Sequence, residues 1–310
     1  MNQSLNRINY YNILAMLAAS CLAVIIPFEL FLLSYAILGP AHYLTEISWL
    51  NGRHFFTLKK YDFLLIAAVV VITVLFKLPN ANLIFYTFGL SFILLVVKGP
   101  VNRLLAFILL IAAGYFLLTH NIFRTIFGMY IPTLIHVYIF TGAFMLLGAL
   151  KDKIVSGYIA FFVFLLCPVL LCLLFTGYHT GPTAWAISNY GDFGRLNSTT
   201  LCNPSLNVYT NNASIILTRL IAFAYTYHYL NWFSKTRVIN WHRISITRAA
   251  IIGLVWAASI ALYFYNYRLG IKWLFILSLG HVILEFPLNH RSFIGIGRQL
   301  KSKVNSSFVQ

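Results

Sequence analysis

The sequence predicts an all-helical, polytopic transmembrane bundle, and three observations carry that prediction. Of its 310 residues, 60% are hydrophobic and only 9% are charged, whereas a soluble domain carries about a quarter charged residues. Mean hydropathy is +0.82. The apolar residues also gather into about nine runs, each near the ~20 residues a helix needs to cross the hydrocarbon core. So few charges cannot cover a soluble globule, and the same apolar content excludes disorder. The 22 Lys+Arg against 6 Asp+Glu give a net charge of +16. These cations stand singly between apolar runs, so they read as orientation signals rather than as a nucleic-acid footprint. The expected partners are the lipid bilayer and a lipophilic small molecule, with no nucleic acid.

In chain order the runs cover 12–38, 61–77, 82–97, 104–119, 129–149, 154–175, 214–233, 249–266 and 270–288. The first is too long for a signal-peptide core, contains Glu29 and lacks a small-residue cleavage site, so it is expected to remain as a helix. The second and third are separated by Lys77-Leu78-Pro79-Asn80-Ala81, a turn sequence that predicts a tight hairpin. Eight spans is the competing count. The polar stretch 176–213, rich in Gly, Asn, Ser and Thr, reads as an external loop. It holds two N-glycosylation triplets, Asn197-Ser198-Thr199 and Asn212-Ala213-Ser214. Residues 289–310 read as a cytoplasmic basic tail, and the whole chain, 1–310, as a single transmembrane domain.

Nine spans separate the cations into two sets. One holds Arg7, Lys77, Arg124, Arg195, Arg268 and Lys272. The other holds Arg53, Lys59, Lys60, Lys98, Arg103, Lys151, Lys153, Lys235, Arg237, Arg243, Arg248, Arg291, Arg298, Lys301 and Lys303, and Arg219 lies inside a run. The positive-inside rule then places the N-terminus outside and the C-terminus in the cytoplasm. The location expected is a bacterial inner membrane. Cys21, Cys167 and Cys172 lie in runs and Cys202 in a loop, so no disulfide framework or Cys-x-x-Cys site is expected. There is no P-loop, dinucleotide fingerprint or serine nucleophile elbow.

Ionisable groups inside spans persist mainly where they pair, bind or react. All three glutamates, Glu29, Glu46 and Glu285, lie in or beside apolar runs, while Asp62, Asp152 and Asp192 sit at edges or in loops. His42 and Glu46 are four residues apart, as are His281 and Glu285, so each pair shares a helix face. Imidazole with carboxylate suits a divalent metal, the acid acting as a ligand or as the group that orients the histidine. A plain His–Glu hydrogen bond is the simpler reading of each pair alone. His228 stands among Tyr227, Tyr229, Asn231 and Trp232; the outer aromatics are interfacial-belt residues, but a histidine is not. The predicted metal set is His42, His228, His281, Glu46 and Glu285. His54, His290, Asn231 and Tyr227 are accessory candidates. His120 and His179 fall at the outer face. His136 falls in the outer third of its run, roughly 20 Å from the inner face at 1.5 Å per residue. It and Glu29, for which no partner is evident, are read as substrate-binding or proton-relay residues.

Three stretches carry a family resemblance. Leu38-Gly39-Pro40-Ala41-His42, Ile221-Ala222-Phe223-Ala224-Tyr225-Thr226-Tyr227-His228 and Leu277-Ser278-Leu279-Gly280-His281 resemble histidine-bearing elements of the Brp/Blh β-carotene 15,15′-dioxygenases. Where that family's second element reads His-x-x-x-His, this chain has Trp232. The resemblance implies a multi-pass membrane fold, histidine ligands at His42, His228 and His281, an iron cofactor and a carotenoid-like substrate. No His-His pair of the kind desaturases need exists in the chain. The leading functional reading is therefore a membrane oxygenase that uses Fe(II), with zinc or haem as the other metal options. A transporter or channel using intramembrane His and Glu, or a non-catalytic subunit of a membrane complex, are the alternatives.

Overall fold

The computed structural model describes residues 2–174, 177–178, 180–191 and 193–307, so His179 and Asp192 lie outside the described residues. Every regular element among the described residues is helical. The principal helices are α1 (Asn2–Ile25), α2 (Pro27–Asn51), α3 (Phe63–Leu75), α4 (Asn80–Val96), α5 (Pro100–Leu117), α6 (Asn121–Asp152), α7 (Val155–Leu173), α8 (Ala184–Tyr190), α9 (Gly194–Thr200), α10 (Asn212–Ser234), α11 (Ile246–Tyr265) and α12 (Tyr267–Ser307). Seven of them, α1, α2, α5, α6, α7, α11 and α12, are long and apolar enough to cross a membrane, and α3 and α4 are shorter apolar helices. The chain is an all-helical multi-pass membrane protein.

The chain divides into two compact units. The first holds residues 1–45 and 148–276, the second 46–147 and 277–310. Hydropathy marks which stretches are apolar but not which of them pack together.

The first unit is built around α10. Sixteen of its 23 residues are buried, and α1, α2 and α7 pack against it. Helices wrapped on all sides need no polar face, but α10 also carries many polar side chains, whose partners are protein groups rather than lipid. Tyr227 Oη and Ser234 Oγ both donate to Asn12 Oδ1 of α1 at 3.1 Å. Ser34 and Thr226 hydroxyls meet at 2.7 Å, and Trp232 Nε1 donates to Thr45 Oγ1 at 2.9 Å. These contacts fix direction. As α2 advances from Ser34 to Thr45, α10 advances from Thr226 to Trp232, so the two run parallel. The start of α1 lies beside the start of α7, where Asn9 Nδ2 donates to Ser156 Oγ at 2.9 Å. Its end reaches Thr180, whose hydroxyl donates to Ile25 O.

The run 12–38 therefore holds two helices, not one. Pro27 cannot donate to the carbonyl four residues back, the chain reverses at Ile26 (φ −134°, ψ 58°), and α1 and α2 run antiparallel. The N-terminus consequently stands at the same end of this unit as Ser156 and Ser234, beside Lys153 and Lys235 in sequence. The nine-span alternation placed it opposite them.

The stretch expected as an external loop carries two short helices pinned to the unit. Asn197 is fully buried, and its Nδ2 donates to Ser214 Oγ and Thr218 Oγ1, both at 2.8 Å. Tyr190 is equally buried, meets Thr218 Oγ1 at 3.2 Å, and burial raises its phenol above the usual tyrosine range. A glycan cannot reach Asn197 in this fold, whereas Asn212 is exposed.

In the second unit α4 is central, packed by α3, α5 and α6. The Lys77–Ala81 turn is the tight hairpin expected. The next turn places Gly99 at φ +84°, a conformation open mainly to glycine. Arg103, near the start of α5, pairs with Asp62 beside the start of α3 at 3.2 Å. The apolar core joins Ile84, Leu90 and Leu94 to Ile131 and Phe140 of α6 and to Val282, Ile283 and Phe286 of α12. The expected cytoplasmic tail is not a separate tail: α12 continues unbroken through Ser307.

Candidate metal centre

Two prolines shape the helices that present histidines. In α2 the backbone before Pro40 widens to a π-helical turn over Ser34–Leu38, closed by the Gly39 N–H donating to Ser34 O. In α6 a π-helical stretch covers Ile126–Phe140 around Pro132. A missing proline N–H frees a carbonyl, and a widened turn lets the ladder reconnect; such insertions recur at functional sites. His42 stands two residues after Pro40, and His136 four after Pro132.

In the first unit His42 Nε2 and His228 Nε2 face one another at 3.0 Å, and both rings are buried. Tyr229 and Trp232 wall the His42 ring, with centroids 5.3 and 5.5 Å away. Tyr43 and Tyr229 lock that wall through a 2.6 Å contact of their hydroxyls. Tyr227, an expected accessory, lies about 100° further round α10 and bonds to α1 instead. Asn231 is buried on the same helix.

In the second unit His136 Nε2 and His281 Nε2 are likewise 3.0 Å apart. His136 Nδ1 lies 3.3 Å from Glu285 Oε2. One ligand atom from each of His136, His281 and Glu285 falls within 4.8 Å of the others, and all three residues are at most 2% exposed. Asn289 stands one turn on from Glu285, and Glu46 lies close to it.

Two imidazole nitrogens bound to one ion at about 2.1 Å lie roughly 2.9–3.4 Å apart for angles between octahedral and tetrahedral. Both histidine pairs have that spacing. Glu285 at Nδ1 of His136 is placed as the carboxylate that orients a metal-bound imidazole. This donor set suits Fe(II) or Zn(II).

The sequence reading set His136 apart from His281 on depth, and the structure brings them together. The run 129–149 is only part of α6, which starts at Asn121, so His136 stands near the middle of a 32-residue helix. The spacing Pro132 to His136 was the available signal. Other candidates lie elsewhere. His290 Nε2 sits 3.0 Å from Phe88 O, which can only accept, so Nε2 donates there and only Nδ1 keeps a lone pair. His54 is exposed in a left-handed turn (φ 51°). Glu29 has a partner after all: it accepts from Thr183 N and Oγ1 at 2.7 and 2.8 Å, tying α2 to the start of α8. Arg219, fully buried, donates to Tyr178 O.

Comparison of the chain with family models, with curated proteins and with solved structures gives no match.

Proposed function

We propose that this protein is a multi-pass membrane oxidoreductase that binds iron through buried histidine pairs and acts on a lipid-soluble substrate of carotenoid or isoprenoid type. One observation carries the reading: the 3.0 Å separation of His136 and His281 Nε2, with Glu285 at the other nitrogen of His136. The matching His42–His228 pair is a second ligating pair. Bound iron would supply dioxygen activation. The chain's own residues hold the imidazoles in one orientation and keep them from water by burial, with the Glu285 carboxyl at His136 Nδ1. The three stretches resembling the β-carotene dioxygenases, and the Tyr229–Trp232 wall, support an apolar, conjugated substrate.

Counting α1 and α2 separately gives ten passes, including the more polar α10. That moves Arg7 to the basic side, and the cations outside spans then divide 16 against 5. Both termini are therefore cytoplasmic in a bacterial inner membrane.

Elemental analysis of maltoside-purified chain tests the metal. We expect near-stoichiometric iron that His136→Ala and His281→Ala lose and the exposed His54→Ala keeps. Folded wild-type protein free of any transition metal would refute the reading. The closeness of the Glu46 and Glu285 carboxyls favours a second one, a proton-coupled carrier. That reading predicts metal-free protein with the same histidine pairs joined by N–H···N bonds, and uptake driven by a proton gradient in vesicles.

A further inference from the structure

At the end of the first unit where α1 begins and α10 ends lies a cavity of about 640 Å³. Its polar donors come from one face of α1: Gln3, Ser4, Arg7 and Tyr11. Across from them, the Ser234 hydroxyl proton is already taken up between Asn12 Oδ1 and the Asn231 carbonyl, and that of Thr236 by the Phe233 carbonyl, so α1 supplies the donors. No carboxylate lines the cavity, and its polar and apolar surfaces are nearly equal, with Ile8 and Phe233 forming the apolar part. Its donor set selects an anion, and its mixed walls select an amphiphile. A water takes about 30 Å³ of liquid, so the space admits a phosphodiester headgroup with its waters.

The surroundings point to the same ligand. The segment after α10 carries Lys235, Arg237, Arg243 and Arg248, and Lys151 and Lys153 flank the start of α7, with Asp152 the one acid among them. Tyr10 and Tyr11 are exposed beside the cavity, as residues at the headgroup level of a bilayer are. Anionic leaflets attract such basic ends.

We propose that this cavity is a binding site for an anionic phospholipid headgroup, with the Arg7 guanidinium taking the phosphate and Ser4, Gln3 and Tyr11 donating to its oxygens. Native mass spectrometry of the full chain, from maltoside micelles doped with equal fractions of phosphatidylglycerol or phosphatidylcholine, tests it. We expect phosphatidylglycerol to be retained preferentially. One cation near a membrane surface contributes about 1 kcal/mol, so Arg7→Gln should raise the apparent Kd about five-fold, while Arg195→Gln, outside this cavity, leaves it unchanged. Arg7 is exposed and glutamine is a good helix former, so the variant folds. Equal retention of the two lipids, or an unaltered Kd in Arg7→Gln, would overturn the site. Displacement of phosphatidylglycerol by inorganic phosphate at matched concentration would show a free-anion site and overturn the lipid assignment.

Discussion

Glu285 gathers the polar chemistry of the second unit: it faces His136 Nδ1 at 3.3 Å and lies close to Glu46 and Asn289. If it orients His136 rather than supplying the main bond to metal, its removal should weaken the metal without abolishing it. Glu285→Gln is expected to lower iron affinity about 10–100-fold, the usual effect of losing such a partner, while His281→Ala leaves no measurable iron. Chelator-competition titration separates the two. If Glu46 shares a proton with Glu285, it makes a finer test. Glutamine at this position can still donate to Glu285, so Glu46→Gln should retain metal, whereas Glu46→Leu leaves a buried carboxylate without its proton-sharing partner and should lose it. Equal behaviour of the two Glu46 variants would rule out that bond.

At the scale of helices, α6 shows why periodicity misplaced a ligand. Its π-helical stretch around Pro132 rotates the downstream residues relative to a regular helix. Alanine at Pro132 restores a backbone donor, and relaxing one inserted residue would turn His136 by about 100°. Pro132→Ala is therefore expected to melt at or above the wild-type temperature and yet purify with little iron. Thermal unfolding and metal content read on the same sample check this; a variant with full metal would show that the widened turn does not aim His136. The contrast of α5 with α10 teaches the same lesson about burial. Of α5's 18 residues only Gly114 is buried, so its side chains face lipid and read as strongly apolar. The deeply buried α10 carries Arg219, Thr218, His228 and Asn231, which sit among protein groups rather than lipid.

For the whole molecule, the proposed ten-pass arrangement rests on the reversal at Ile26. With both termini on one side, Ser4→Cys and Ser302→Cys should react with an impermeant maleimide only from the cytoplasmic face of oriented vesicles, and Ser205→Cys only from the other. Labelling of Ser4→Cys together with Ser205→Cys would restore the nine-pass arrangement. The amino-acid sequence alone determined the membrane class, the helical build, most helix positions and four of the five residues in the two histidine clusters. These properties are sums of local transfer energies and spacings, and a linear pattern holds them. It could not tell that 12–38 is two antiparallel helices, that Glu29 caps against Thr183, or that His136 meets His281. Those depend on where a helix breaks, how far a widened turn rotates a side chain, and which faces pack, and only the tertiary structure decided them. The reason is physical: hydropathy prices each residue's exchange of water for an apolar medium, and it is blind to direction around the helix axis.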